Sequence, residues 1–215
     1  MATDWLVDEL LFWALESSEG DTTYWMRIQS WVPSTPDASE DAGQRAVSIL
    51  MGQELVVGKR AITHEVVEFA LTPVGVREAG RRFEAVRSRR ERLAYAENAI
   101  LTWVFETVLP SRPVELIDFI GSPAGYFYAS KLTAEEVTEA ATSLVELKML
   151  TTTGGPLTGV WLAPEGRACV MSGQPVREYM RPHGTHLIQN IHSGGVGAQG
   201  LDVHQHSGDQ GTGAS

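Results

Sequence analysis

A few groups of residues in this 215-residue chain have side chains that can do chemistry, and their spacing limits what that chemistry is. His64 and Glu65 begin like the His-Glu-x-x-His helix of zinc peptidases. Position 68 is Glu rather than a second His, and the surrounding β-branched run reads as a hairpin, so the ligand spacing fails. His204 and His206 fall on one face of an extended segment and, with His192, supply three imidazoles. Clustered histidines of this kind read as solvated side chains rather than as a metal site. The stretch "GGVGAQG" at 194–200 is glycine-rich but lacks the Lys-Ser/Thr and the following helix of a phosphate loop. Cys169 sits among Ala168, Val170 and Met171 with only Arg167 as a nearby cation, which suits packing better than reactivity. Glu135 and Glu136 open a helix, where negative charge favours the macrodipole. No nucleophile, base and orienting group assemble. The sequence therefore reads as a non-enzyme with no cofactor and no catalytic or metal-binding residues.

The composition narrows the class. The N-terminal "MATDWLVDEL" is acidic and has no basic segment leading into an apolar one, so it does not read as a secretory signal. No apolar run reaches the ~18 residues that cross a bilayer, and a lone cysteine fits a reducing cytoplasm, so a cytoplasmic protein without a membrane partner is expected. Net charge is −10 but uneven. Residues 1–76 hold 12 acids against 4 Lys/Arg, whereas 77–92 hold 7 Arg against 3 Glu. Two acidic blocks thus flank a basic bridge, and any nucleic-acid contact would concentrate on that bridge.

The elements that must position these groups are betrayed by a repeat. "LTPVGVREAG" (71–80) returns ninety-one positions later as "LAPEGRACVM" (162–171). At an offset of 90, "DELLFWALE" (8–16) lies over "NAILTWVFE" (98–106); at 89, Trp25, Ile28 and Trp31 fall on Val114, Ile117 and Ile120; at 95, "AVSILMGQEL" (46–55) meets "ATSLVELKML" (141–150). Each unit reads as a helix, a short second helix, a third helix, a hairpin and a closing helix. Leu93, Ala96, Ile100, Val104 and Val108 carry the helical period in the second unit, and Pro110 ends it. Thr133 and Glu136 have capping-box spacing, and Asp37 or Ser39 would cap the equivalent helix. Gly154, Gly155 and Pro156 mark a hairpin tip, and Thr72 followed by Pro73 suits a helix start.

This order, with a strand ending in Leu-Thr before a Gly-containing helix in "ALTPVGVREAG", resembles the winged helix-turn-helix family, and within it the MarR-like and PadR-like bacterial regulators. The resemblance implies an α+β, mainly α fold: winged-helix domains over 1–83 and 98–181, a basic linker helix over 84–97 and a Gly/His-rich tail over 182–215. From Val76 through Ala79, Phe83, Val86, Arg90, Leu93, Glu97, Ile100 and Val104 the steps of three and four form a coiled-coil seam. The bridge is then either one long helix or two helices broken near Gly80 or Ser88. The tail holds 8 of the 21 glycines and 5 of the 6 histidines, reading as short β segments and disorder. Seam or tail would make the protein a homo-oligomer.

Winged helices usually read DNA by inserting the third helix, whose exposed face then carries Arg, Lys, Asn or Gln. Here the third helices present Glu40, Asp41 and Arg45 in the first unit and Glu135, Glu136 and Glu139 in the second. These are the expected protein-partner contacts of an adaptor, and tandem winged helices of this kind are similar in architecture to the kleisin-binding subunits of chromosome-organising complexes. The second reading is a DNA-binding regulator that meets phosphates through Lys59 and Arg60 at the first wing and Arg77, Arg81, Arg82, Arg87, Arg89 and Arg90 in the bridge. Those arginines equally suit a solvated helix face balanced by Glu78, Glu84 and Glu91.

Overall fold

The computed structural model describes residues 5–34, 40–107, 112–155 and 158–181. The fold is α+β and mainly helical, with three small antiparallel sheets. No helix among the described residues is long and apolar enough to cross a membrane.

The first half runs α1 (Trp5–Ser18), β1 (Met26–Arg27), α2 (Glu40–Gly52), β2 (Val56–Arg60), β3 (Val66–Leu71) and α3 (Pro73–Arg87). α1 buries Val7, Leu10, Leu11 and Ala14, spaced at three and four, against α2, α3 and the inner face of the sheet. The sheet has order β1-β3-β2, and Met26 and Gly58 flank Phe69, which is fully buried. The short second helix expected here is only a 3-10 turn, Ile28–Ser30. Trp31 turns extended and Pro33 follows two residues later, where a proline forces its predecessor out of helical geometry.

The second half repeats the order with two additions, the β4–β5 hairpin and α8: α4 (Arg89–Thr107), α5 (Leu116–Gly121), β4 (Tyr126–Phe127), β5 (Ser130–Lys131), α6 (Ala134–Glu146), β6 (Leu150–Gly155), β7 (Thr158–Leu162), α7 (Pro164–Ser172) and a last turn of helix, α8 (Val176–Tyr179). Ile100, Leu101 and Val104 bury fully, as Leu10, Leu11 and Ala14 do ninety positions earlier. Val114 bridges Val160 as Met26 pairs with Phe69, so each outer hairpin strand gains an edge partner from the segment after the first helix. The β4–β5 hairpin has no counterpart among the described residues of the first half.

The recurring Leu-[Thr/Ala]-Pro-x-Gly pattern now has a physical cause. In the first half Thr72 N–H donates to the Leu55 carbonyl (3.0 Å), the Thr72 hydroxyl caps Gly75 N–H (2.9 Å), and Pro73 starts α3. A Cβ on Gly75 would run into that same Leu55 carbonyl oxygen. In the second half Ala163 N–H donates to the Met149 carbonyl (3.0 Å), and a Cβ on Gly166 would collide with it. The proline sets the helix start, and the glycine lets its first turn lie on the backbone leaving the third helix. Glu54 and Lys148 both adopt positive φ, 60° and 59°, where that backbone turns, and Leu55 and Met149 both donate to a carbonyl five residues back. The third helices are therefore aligned at an offset of 94, one residue less than the 95 expected from matching Leu55 with Leu150.

The linker helix expected over 84–97 is divided at Ser88. Ser88 is extended (φ −80°, ψ 105°), its N–H closes α3 onto Glu84 and Ala85, and its hydroxyl accepts from Glu91 N–H (3.4 Å) to open α4. Ser-x-x-Glu is an N-cap spacing, and it stops the helix where periodicity alone would run on. Residues 89–97 accordingly begin the first helix of the second half, with Arg92, Ala96 and Glu97 buried. Of the seam positions, Ala79, Glu97, Ile100 and Val104 lie buried, Val76, Phe83, Val86 and Leu93 are half-buried and Arg90 is exposed. The 182–215 tail and the Asp37 and Ser39 caps lie outside the described residues, as does Pro156.

Candidate interaction surfaces

The basic bridge is mostly occupied from within. Arg81 forms a two-pronged pair with Glu78 (2.9 and 2.7 Å) and reaches the Tyr128 hydroxyl (3.3 Å). Arg82 joins Glu78 (2.7 Å) to the buried Asp8 carboxylate (2.6 Å) and lies 5.6 Å from the centre of the Tyr128 ring. Arg87 stands over Phe83 (4.5 Å) within 4.0 Å of Glu84, and Arg89 pairs with Glu139 (2.6 Å). Arg77 and Arg90 are exposed and form no ion pair among the described residues. On the β2–β3 hairpin, Lys59 pairs with Glu68 (3.2 Å) and covers the Trp25 ring (3.8 Å), while Arg60 donates to the His64 carbonyl (3.0 Å). Arg27 approaches Glu68 from the other side (3.8 Å), so on the outer face of this sheet two cations share one carboxylate in a cross-strand row.

Sequence reading missed the residues that fasten the two halves. Tyr126 stacks on Trp5 (5.0 Å between centroids) and Tyr128 meets Arg81 and Arg82, so the β4–β5 hairpin clasps the first half. Tyr128 holds a left-handed conformation (φ 53°), which an L-residue keeps only when its surroundings fix it. The motif "YFYASK" (126–131), a tyrosine either side of Phe127, is the visible signal. Asp8 carries none, because its partner lies 74 positions away.

Of the expected partner contacts, Asp41, Arg45 and Glu135 are exposed. Glu40 starts α2, and its side chain lies outside the described ones. Glu136 is largely internal. It closes the capping box with Thr133 and takes a two-pronged bond from the buried Arg92 (2.5 and 2.7 Å), which also reaches Ser130 and the Lys131 carbonyl. The Arg92 hydrogen bond chiefly holds the Glu136 carboxyl down at about 2, and Arg81 does the same for Glu78, also at about 2. Glu139 is tied to Arg89. Gln44, the one amide on the exposed side of α2, exchanges two hydrogen bonds with the Val66 backbone (2.9 and 3.0 Å) and so is engaged with β3.

A shallow depression of about 770 Å³ lies along α2 over Asp41, Gln44, Arg45, Ser48 and Ile49. His64 occupies the β2–β3 turn with φ 69°, and no three metal-ligating side chains gather among the described residues. Cys169 is buried, and burial pushes its thiol up. Comparison with protein-family models, curated proteins and solved structures returns no match for this chain.

Proposed function

We propose that the protein is a non-enzymatic, cytoplasmic adaptor or regulator, built on two winged helices, that grips a cation-bearing partner protein through the exposed acidic ends of α2 and α6. The observation that carries this reading is the state of the bridge. Of the eight cations expected to meet phosphate, Lys59, Arg81, Arg82, Arg87 and Arg89 lie within 4.0 Å of a carboxylate of the same chain and Arg60 bonds a backbone carbonyl, leaving Arg77 and Arg90. Cations already paired within the chain gain less from meeting phosphate than free ones, so they contribute less affinity. Asp41 and Glu135, equivalent at the offset of 94, remain exposed at the start of both third helices. The winged-helix assignment rests on the repeated element order and on the edge strand that joins each hairpin.

The test uses the purified chain as bait and reverses only these two carboxylates, Asp41→Lys and Glu135→Lys. Reversing Glu136 would break its largely buried pair with Arg92 and confuse binding with folding, and Glu139 is already engaged by Arg89. The expected result is a defined set of retained proteins that the double variant loses, while Arg77→Glu with Arg90→Glu keeps them. The opposite pattern, retention that survives reversal of the acids and disappears with the arginines, would overturn the reading in favour of a phosphate-binding regulator.

A further inference from the structure

The two halves differ most where the closing helix crosses the first helix. α3 runs 15 residues and brings Arg82 and Phe83 down on α1, where Arg82 bonds Asp8 and Phe83 packs edge-on against Phe12 (5.7 Å). α7 stops after 9 residues at Gly173, whose left-handed conformation (φ 70°) ends the helix. Counting from the equivalent glycines Gly75 and Gly166, Arg82 corresponds to Gly173 and Phe83 to Gln174. On the first helix, Asp8 corresponds to Asn98 and Phe12 to Thr102. A salt bridge and an aromatic pair in one half thus become Gly, Gln, Asn and Thr in the other.

Part of the lost side-chain volume is taken by Val176, and the rest is left as an open cleft of about 240 Å³, lined by Asn98, Thr102, Gly173 and Gln174 among others. Its walls include the apolar Leu101, Val170 and Val176 together with Cys169, and none of its lining residues is charged. Asn98 is fixed at the edge, donating to the Ala94 carbonyl (2.7 Å) and accepting from Val176 N–H (2.8 Å). Thr102 and Gln174 are exposed, with a hydroxyl and an amide to offer a ligand's polar edge. About 150 Å³ of apolar space holds one benzene ring, so this cavity has room for a ring and a small substituent.

We propose that this cavity is a binding site for a small, neutral, planar aromatic molecule bearing an amide or hydroxyl, which takes the place that the Phe83 ring fills in the first half. Apolar walls receive the ring, the absence of charge excludes an ionic ligand, and Thr102 and Gln174 select the polar edge.

The probe is benzamide, titrated into the isotope-labelled full chain and followed by backbone amide resonances. Saturable shifts around Thr102, Gln174 and Val176 are expected, with Kd of about 1 mM or tighter for so small a ligand. The Thr102→Phe, Gln174→Phe variant recreates the Phe12–Phe83 pair in the second half and is expected to weaken binding at least tenfold. Gln174→Phe alone, at an exposed position, gives the same reading should the double variant fail to fold. No saturable shifts in the natural chain, or an unchanged Kd in the filled variant, would overturn the proposal.

Discussion

The two halves share a plan and differ in how each is closed. The first is sealed by a long helix whose arginines also reach the second half. The second is sealed by a helix of 9 residues and adds a tyrosine hairpin that reaches back. The joints that recur, Pro-x-Gly over a backbone carbonyl and an edge strand on the hairpin, are those the backbone requires. What varies is side-chain volume and charge. Within the basic bridge, Arg81 and Arg82 are the arginines that reach across to the second half, through Tyr128.

The largest expected effect tests the shared joint. Gly75→Ala and Gly166→Ala each drive a methyl into a backbone carbonyl oxygen and should each destabilise by about 3 kcal/mol or more in chemical denaturation. A large loss for one and none for the other would break the equivalence of the halves. Next come the internal ion pairs. Arg92→Ala leaves Glu136 without its partner in a mostly buried setting and should cost about 3 kcal/mol or more, whereas Arg89→Ala, at a well-exposed pair, should cost far less. Equal costs would mean that burial does not separate the two arginines.

Much of this was legible in the sequence where the signal is local. The Thr72-Pro73 start and the Thr133-Glu136 capping box appear as read, because a cap is decided within four residues. Apolar spacing located the helices and β-branched runs the hairpins. Ser88 shows the limit. The nine seam positions left one continuous helix and a break near Gly80 or Ser88 equally open, and the Ser-x-x-Glu cap at Ser88 decides for the break. The candidate surfaces were less legible still, because Asp8 with Arg82 and Arg92 with Glu136 join positions 74 and 44 apart. A count of charges places arginines on the bridge but gives no sign of which carboxylates they meet.

A smaller effect sharpens the contrast between the closing helices. Thr72→Ala should cost about 1 kcal/mol through loss of the cap, and Ala163→Thr should recover a similar amount by giving α7 the cap it lacks. Thermal unfolding of the two variants measures both. The pH dependence follows from Glu78 and Glu136, whose folded carboxyls sit at about 2 against an unfolded value of 4.5. A depressed carboxyl contributes stability that is fully present above the unfolded value and is lost as pH falls through the folded one. Stability should therefore decline between about pH 4.5 and 2, and Arg92→Ala should flatten the part of that decline due to Glu136.

The central claim is that the arginine bridge is internal structure rather than a nucleic-acid surface. A fluorescence-anisotropy titration of a labelled random-sequence DNA duplex at low ionic strength, where phosphate contacts are strongest, tests it most directly. No saturable binding by the natural chain is expected. Saturable binding that disappears in the Arg77→Glu, Arg90→Glu variant would contradict it.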